Sequence, residues 1–260
     1  MKFMHLTDTH LVKRGAQLYG LDPQARLRAA IDSINAEHAD AAFTVITGDL
    51  AHWGEPAAYE VLMEELSRLR MPLHLLIGNH DGRPAFRKTF SGTPVDSNGF
   101  VQFAFTYGQW RFVGLDTHEP GVSWGVFCEQ RAAWLAAELA AHELPVYLFM
   151  HHPPFSVGMT SMDRISMREP ALLRAAIEPH RQRIRHLFFG HLHRPVAGSW
   201  LGIPVSTQRA SSHQVALDLG SGPVIPGSHE PPQYGVVLAG EEETIVHMHD
   251  FMDRSLRFDL

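Results

Sequence analysis

Between residues 8 and 193, five short clusters of nitrogen- and oxygen-bearing side chains interrupt the chain, each directly after an apolar run. They are Asp8-Thr9-His10, Thr47-Gly48-Asp49, Gly78-Asn79-His80-Asp81, His151-His152-Pro153-Pro154 and Gly190-His191-Leu192-His193. Singly, each is what an ordinary polar turn looks like. Together they offer imidazole, carboxylate and amide donors where strands end, which is where open α/β sheets bind ligands. That combination points to a metal site. Its candidate ligands are Asp8, His10, Asp49, Asn79, His151, His191 and His193. This is too many for one tetrahedral zinc and argues for two ions. No thiolate is among them, so manganese, iron, zinc or cobalt suits the donors, whereas copper(I) and iron–sulfur do not. Two divalent ions bring four positive charges, and Asp8 and Asp49 cancel two. A hydroxide and a phosphodiester anion would cancel the others, so the donor set is charge-matched to a phosphodiester and its nucleophile.

The positioning elements follow from periodicity. Lys2–Leu6 reads as a strand, and Asp8 and His10, two apart, can face one ion. A helix is predicted from about Gln24 to Ala39 after the start signal Asp22-Pro23, with Leu27, Ala30, Ile31 and Ile34 on one face. Residues 41–46 form a strand ending at Gly48-Asp49. A helix over about 56–69 carries the stripe Tyr59, Leu62, Met63, Leu66 and Leu69, in which Met63 fills core. Residues 72–77 form a third strand. The order β-α-β-α-β implies parallel strands with helical crossovers. Phe100–Phe105 alternates at period two and Trp110–Leu115 returns, which predicts an antiparallel hairpin turning at Gly108-Gln109. A helix over 129–141, a strand over 145–150, a loop over 155–170, a helix over 170–177 and a strand over 185–189 follow. Further strands are predicted near 203–206, 235–238 and 244–249. Residues 220–233, with repeated Gly and Pro, read as a long loop.

Composition narrows the class. The chain has 260 residues, 45% hydrophobic and 19% charged, which is ordinary globular usage and fits a single domain over residues 1–260. A formal net charge of −6 argues against a groove for long nucleic acid. The lone cysteine, Cys128, excludes an internal disulfide. The N-terminus turns polar too soon for a signal peptide and no apolar run approaches a membrane span, so a cytoplasmic protein with no membrane contact is expected.

The motifs Asp-x-His, Gly-Asp, Gly-Asn-His-Asp, His-x-Pro and Gly-His-x-His, in this order, resemble the calcineurin-like metallophosphoesterases. Leu18-Tyr19-Gly20, Gly78-Asn79-His80-Asp81, Met150-His151-His152-Pro153-Pro154 and Ser212-His213-Gln214 are similar to the class III cyclic nucleotide phosphodiesterases and, above all, to the glycerophosphodiesterases related to them. The resemblance implies an α/β fold of the metallophosphoesterase type, a βαβ sandwich of two mixed sheets flanked by helices, with a binuclear metal site at strand ends. It implies two divalent or mixed-valence ions (Mn, Fe, Zn or Co). Asp8, His10, Asp49 and His193 would hold the first, and Asp49, Asn79, His151 and His191 the second, with Asp49 bridging. His80 would face substrate and assist the leaving group, and Asn79 and His213 would also lie near substrate. A metal-bound hydroxide would attack phosphorus in a small phosphodiester.

The alternatives on the same site are a phosphonate or phosphate monoester hydrolase and a nuclease. A non-catalytic interaction protein would be expected to have lost ligands, and none is missing. The remaining histidines are expected elsewhere: His152 pointing away from the site, and His5, His38, His142, His180, His229 and His247 at the surface or in structural roles. Asp81 is expected to serve a turn or orient a ligand. Residues from about 195 to 260 are expected to complete the second sheet. By the same resemblance they would contribute to a homodimer or a multiple of it.

Overall fold

A computed structural model of the chain describes residues 1–256, 258 and 259. The first half alternates as expected: β1 (Lys2–Leu6), α1 (Pro23–Glu37), β2 (Thr44–Thr47), α2 (Pro56–Leu66), β3 (Leu73–Leu76) and α3 (Arg83–Thr89). The Asp22 side chain caps α1 by accepting from Ala25 N at 3.0 Å. The seven-residue α3 was not legible from periodicity, because Phe86 is its one buried residue and no stripe exists. Met63 on α2 is 47% exposed and does not fill core as expected.

The hairpin is β4 (Phe103–Tyr107) and β5 (Trp110–Leu115). It starts later than the alternation predicts. Phe100 N and Gln102 Nε2 are held by the Asp96 carboxylate, and Val101 N donates to Asp116, so that stretch is spent on side-chain bonds. Then come α4 (Glu129–Ala140), β6 (Val146–Met150), the short α5 (Thr160–Asp163), α6 (Ala171–Ile177), a 3₁₀ turn (Glu178–Arg183) and β7 (Ile184–Phe188). The tail adds β8 (Val196–Trp200), β9 (Ile203–Thr207), β10 (Gln214–Val215), β11 (Gly227–Ser228), β12 (Tyr234–Ala239) and β13 (Thr244–His249). The expected loop over 220–233 thus contains β11, paired antiparallel with β10.

Two mixed sheets result. One runs β13-β12-β1-β2-β3 and the other β4-β5-β6-β7-β9-β8. Residues beyond 195 are divided between them: β8 and β9 join the six-stranded sheet, while β12 and β13 return beside β1 in the five-stranded one.

Alternation along each strand explains the layers. Met4 and Leu6 pack outward with Leu27, Ile31 and Ile34 of α1 and Leu62 of α2. Phe3, one residue over, faces inward. Likewise Leu148 and Met150 pack with Leu135 of α4 and Leu173 of α6, while Tyr147 and Phe149 turn inward. The sheets therefore meet on an aromatic core of Phe3, Phe43, Phe112, Tyr147, Phe149 and Phe188. Phe3 stacks on Phe43 at 5.2 Å and Phe149 on Phe188 at 5.1 Å. Such pairs contribute about 0.5–1.5 kcal/mol beyond their buried area. Helices cover both outer faces, and no helix among the described residues is long and apolar enough to cross a membrane.

Gly114 on β5 leaves room for a further ring of this core, that of Phe103. A Cβ there would lie 2.9 Å from Phe103 Cδ1 and closer still to Cε1. Gly114→Ala is expected to destabilise the protein by about 1–3 kcal/mol through overpacking. Chemical denaturation should show a lower midpoint with an unchanged slope.

Candidate metal centre

The chain turns sharply where the parallel strands end. Asp8 (φ 55°), His10 (φ 44°), Asp49 (φ 50°), His191 (φ 70°) and His193 (φ 49°) all adopt left-handed backbone, which non-glycine residues rarely do. Each such residue costs of order 1–3 kcal/mol and persists only where its surroundings fix it. Here they do: Asp8 N donates to Gly48 O at 3.0 Å, His10 N to Asp49 O at 2.9 Å, and His191 N to Asp8 Oδ2 at 3.0 Å. The turns send side chains from both sheets to one place.

Asp8, His10, Asp49 and His193 each present a ligand atom within 4.8 Å of the others. His10 Nε2 lies 3.0 Å from His193 Nε2 and 3.6 Å from Asp49 Oδ2, and His193 Nε2 lies 3.2 Å from Asp8 Oδ1. A second group adjoins it through Asp49. His151 Nε2 is 3.3 Å from Asp49 Oδ2 and 3.3 Å from Asn79 Oδ1, and the His191 ring lies 5.2 Å from that of His151. The seven sequence-predicted donors are thus brought together. His152, expected to point away, belongs here too: its Nε2 is 3.1 Å from Asn79 Oδ1, and it clusters with His151 and His191. Its Nδ1 meets Thr117 Oγ1 at 2.8 Å, which swings the ring inward.

The hydrogen bonds fix which nitrogens are free. His151 Nδ1 donates to Thr47 O and His193 Nδ1 to His213 O, both at 2.8 Å. Each Nε2 then carries a lone pair that faces other acceptors. His191 Nε2 is buried with no hydrogen-bond partner. A cation between these atoms resolves both the lone-pair repulsion and the orphaned nitrogen, so the donors fit divalent metal. Without one, protons substitute in part. Burial lowers the His151 pKa, but the Asp49 and Asp8 charges outweigh it and raise it to about 9. Burial likewise opposes, and the Asp8 charge reverses, the shift of His193, which ends raised. Burial and then the His151 charge push His191 down to about 3.

The group opens on a cleft of about 710 Å³. His80 lines it; its backbone N–H donates to Asp49 Oδ1 at 2.9 Å and its Nδ1 to His52 O at 2.8 Å. His213 lies 4.6 Å from the His193 ring and 4.7 Å from that of Tyr19, with Nδ1 buried and unpartnered. Burial and the His193 charge push it down to about 2. Met162, Ile165, Val215 and Ile225 give the cleft an apolar wall, Met162 and Ile165 packing in one cluster with Val215. Sequence reasoning passed over His52, which touches both His10 and His80. No spacing signal marks it; only the pairing of the loops after β1 and β2 reveals it. His229 lines the cleft, its Nε2 donating to Tyr19 O at 2.9 Å. His5 is wholly buried between the sheets, bonded to Thr47 Oγ1 at 2.9 Å.

A four-layer α/β/β/α sandwich with a histidine–aspartate cluster able to bind metal at its strand ends has the architecture of a metallophosphoesterase. A family model described as calcineurin-like phosphoesterase matches residues 1–195, and the chain belongs to that family. It is 47% identical to a protein of Rhodopseudomonas palustris named a probable cyclic nucleotide phosphodiesterase, over 97% of this chain and 93% of that one. It is 31% identical to a glycerophosphodiester phosphodiesterase of Enterobacter lignolyticus, over 83% of this chain and 79% of that one. A dimetal phosphatase of Danio rerio, at 16% identity, superposes with a TM-score of 0.72 over 97% of this chain and 96% of that one, and so shares the fold.

Asp81 holds two of the ligand loops together. Its carboxylate accepts from Leu50 N and Ala51 N at 3.0 Å, from Gly78 N at 2.8 Å and from the Tyr59 hydroxyl at 2.9 Å. Burial, with the Asp49 charge, pushes Asp81 up to about 6 against the pull of the three backbone donors. Asp81→Ala strands all four donors, each worth about 1–3 kcal/mol when buried and unsatisfied. A loss of at least about 3 kcal/mol is expected, and Asp81→Asn, which keeps one accepting oxygen, should lose less. Equilibrium unfolding of both variants checks this.

Proposed function

We propose that the chain is a binuclear metal-dependent phosphodiesterase of small phosphodiesters, working in the cytoplasm. The observation that carries this is Asp49, whose Oδ2 lies between His10 of one donor group and His151 of the other. Asp8, His10, Asp49 and His193 would hold one ion, and Asp49, Asn79, His151 and His191 the other. Two divalent ions there would supply Lewis acidity toward the phosphoryl oxygens and a water acidified toward a pKa of roughly 7. The chain's own groups do the rest. Asp8 and Asp49 match the ions' charge, and Asn79 adds a neutral oxygen ligand within reach of substrate. His80, its Nδ1–H held by His52 O, lines the cleft and, as the doubly protonated imidazolium, would give its Nε2 proton to the leaving oxygen and return to the neutral ring. His213 and Tyr19 line the cleft in ring contact at 4.7 Å and would flank the leaving group.

The wall of Tyr19, Met162, Ile165, Val215 and Ile225 favours a leaving group with a flat or apolar body over bare glycerol. This supports a cyclic nucleotide, the activity named for the 47% relative, ahead of a glycerophosphodiester, a phosphonate or phosphate monoester, or nucleic acid. Metal-stripped protein should be inactive and should recover with manganese, cobalt, zinc or iron. A hydrolysis panel of cyclic nucleotides, glycerophosphodiesters, phosphonate monoesters and oligonucleotides then ranks the substrates. Full activity with at most one bound ion would sink the binuclear reading.

His80→Ala should slow diesters with poor leaving groups by about 10²–10⁴-fold and activated aryl diesters far less. Equal losses on both would leave His80 a positioning role only. A homodimer, or a multiple of it, built largely on residues beyond 195 is also proposed. It is supported by the exposed Leu217, Leu219, Val224, Leu256 and Phe258. Light scattering that returns one 29.1 kDa chain at every concentration would exclude it.

A further inference from the structure

His52 belongs to neither ligand group, yet it touches both a candidate ligand and the candidate acid. Its backbone N–H donates to Leu11 O at 2.9 Å, which fixes the loop after β2 against the loop after β1. Its carbonyl accepts from His80 Nδ1 at 2.8 Å, and its ring stacks on that of His80 at 4.7 Å and 22°. Its Nδ1 lies 3.0 Å from Nδ1 of His10. The residue is only 6% exposed.

The tautomers follow from these contacts. His10 can aim a lone pair from Nε2 at the point shared with Asp8, Asp49 and His193 only if its proton sits on Nδ1. His52 Nδ1 must then accept that proton. His151 and His193 meet the same requirement with backbone carbonyls, those of Thr47 and His213. Among these three, His10 alone depends on a side chain. Its acceptor can therefore be removed by substitution without moving the backbone.

We propose that His52 is a positioning residue for the metal centre: its Nδ1 fixes the tautomer and ring orientation of His10, and so sets the affinity of the group formed by Asp8, His10, Asp49 and His193. This rests on the metal-centre reading above. The outer partners of metal-binding histidines typically change affinity about 10–100-fold when lost.

The test is cobalt(II) binding to metal-stripped protein, followed by calorimetry and by the visible spectrum of the bound ion. His52→Phe keeps a ring of similar shape and deletes the acceptor. His52→Asn puts an oxygen, Oδ1, at the position of Nδ1. The Phe variant should weaken one cobalt equivalent by about 10–100-fold and alter its spectrum, leaving the other equivalent unchanged. The Asn variant should restore affinity to within a few-fold of wild type. If His52→Phe does not fold, as judged by circular dichroism of the metal-free protein, His52→Gln carries the same expected loss, because it moves the acceptor one methylene outward. Wild-type affinity and spectrum in the Phe variant, or an Asn variant as weak as Phe, would overturn the proposal alone. Wild-type protein that takes up no cobalt would overturn the metal-centre reading as well.

Discussion

Acceptors brought to face acceptors are the constraint on which this structure turns. His10 Nε2 and His193 Nε2 lie 3.0 Å apart, and His151 Nε2 sits 3.3 Å from both Asp49 Oδ2 and Asn79 Oδ1. Nothing in hydrophobic burial favours such an arrangement; it is made against the local preferences of the chain. Five left-handed residues hold it, at a cost of order 1–3 kcal/mol each. The offset comes from elsewhere, chiefly from the aromatic layer between the sheets and the helices packed outside them. Strained backbone and strong core are therefore parts of one arrangement.

That dependence is closest at Gly78. A Cβ there would stand 2.6 Å from Asp49 N and 2.6 Å from His151 Nε2. Asp49 follows a strand of the five-stranded sheet, whereas His151 follows a strand of the six-stranded one. The site is a seam between sheets, and only a residue without a side chain lets the two halves approach. On the five-stranded side of this seam, the Asp81 carboxylate ties the loops after β2 and β3 to each other through their backbone. Packing between the sheets thus sets the distances among the donors, and remote core changes can be felt at the centre.

Much of this was legible in the sequence. Each donor cluster follows an apolar run, and strand ends in a parallel sheet share one edge, so Asp8, His10, Asp49, Asn79, His151, His191 and His193 could be brought together before any coordinates. Strand and helix boundaries were recovered to within a few residues for the same reason. What escaped depends on side-chain direction or on contacts distant in sequence. The neighbours His151 and His152 would alternate in a regular strand, but the chain leaves the strand at Met150 and Thr117 draws His152 back toward Asn79. His52 gave no signal because its role arises from the pairing of Leu11 with Ala51. The helix α3 lacks a periodic face. The return of β12 beside β1 is a long-range pairing that composition does not encode.

The proton balance of the centre shows which proton a metal would replace. His191 and His52, pushed down by burial to about 3 and about 4, stay neutral in the fold. An unfolded chain would protonate them near 6.5. Their contribution to stability is therefore present above that value and lost as pH falls through it toward the folded values. His151 behaves oppositely. Raised to about 9 against the penalty of burial, it contributes below 6.5 and ceases to do so as pH rises through 9. The two kinds of group are satisfied together near pH 6.5, and the metal-free protein loses stability on either side of it. A divalent cation needs every imidazole neutral and both aspartates ionised, so it meets the demand of His191 and also replaces the proton that His151 would otherwise hold. The converging donors that repel one another when unpartnered are the ligands such a cation would need.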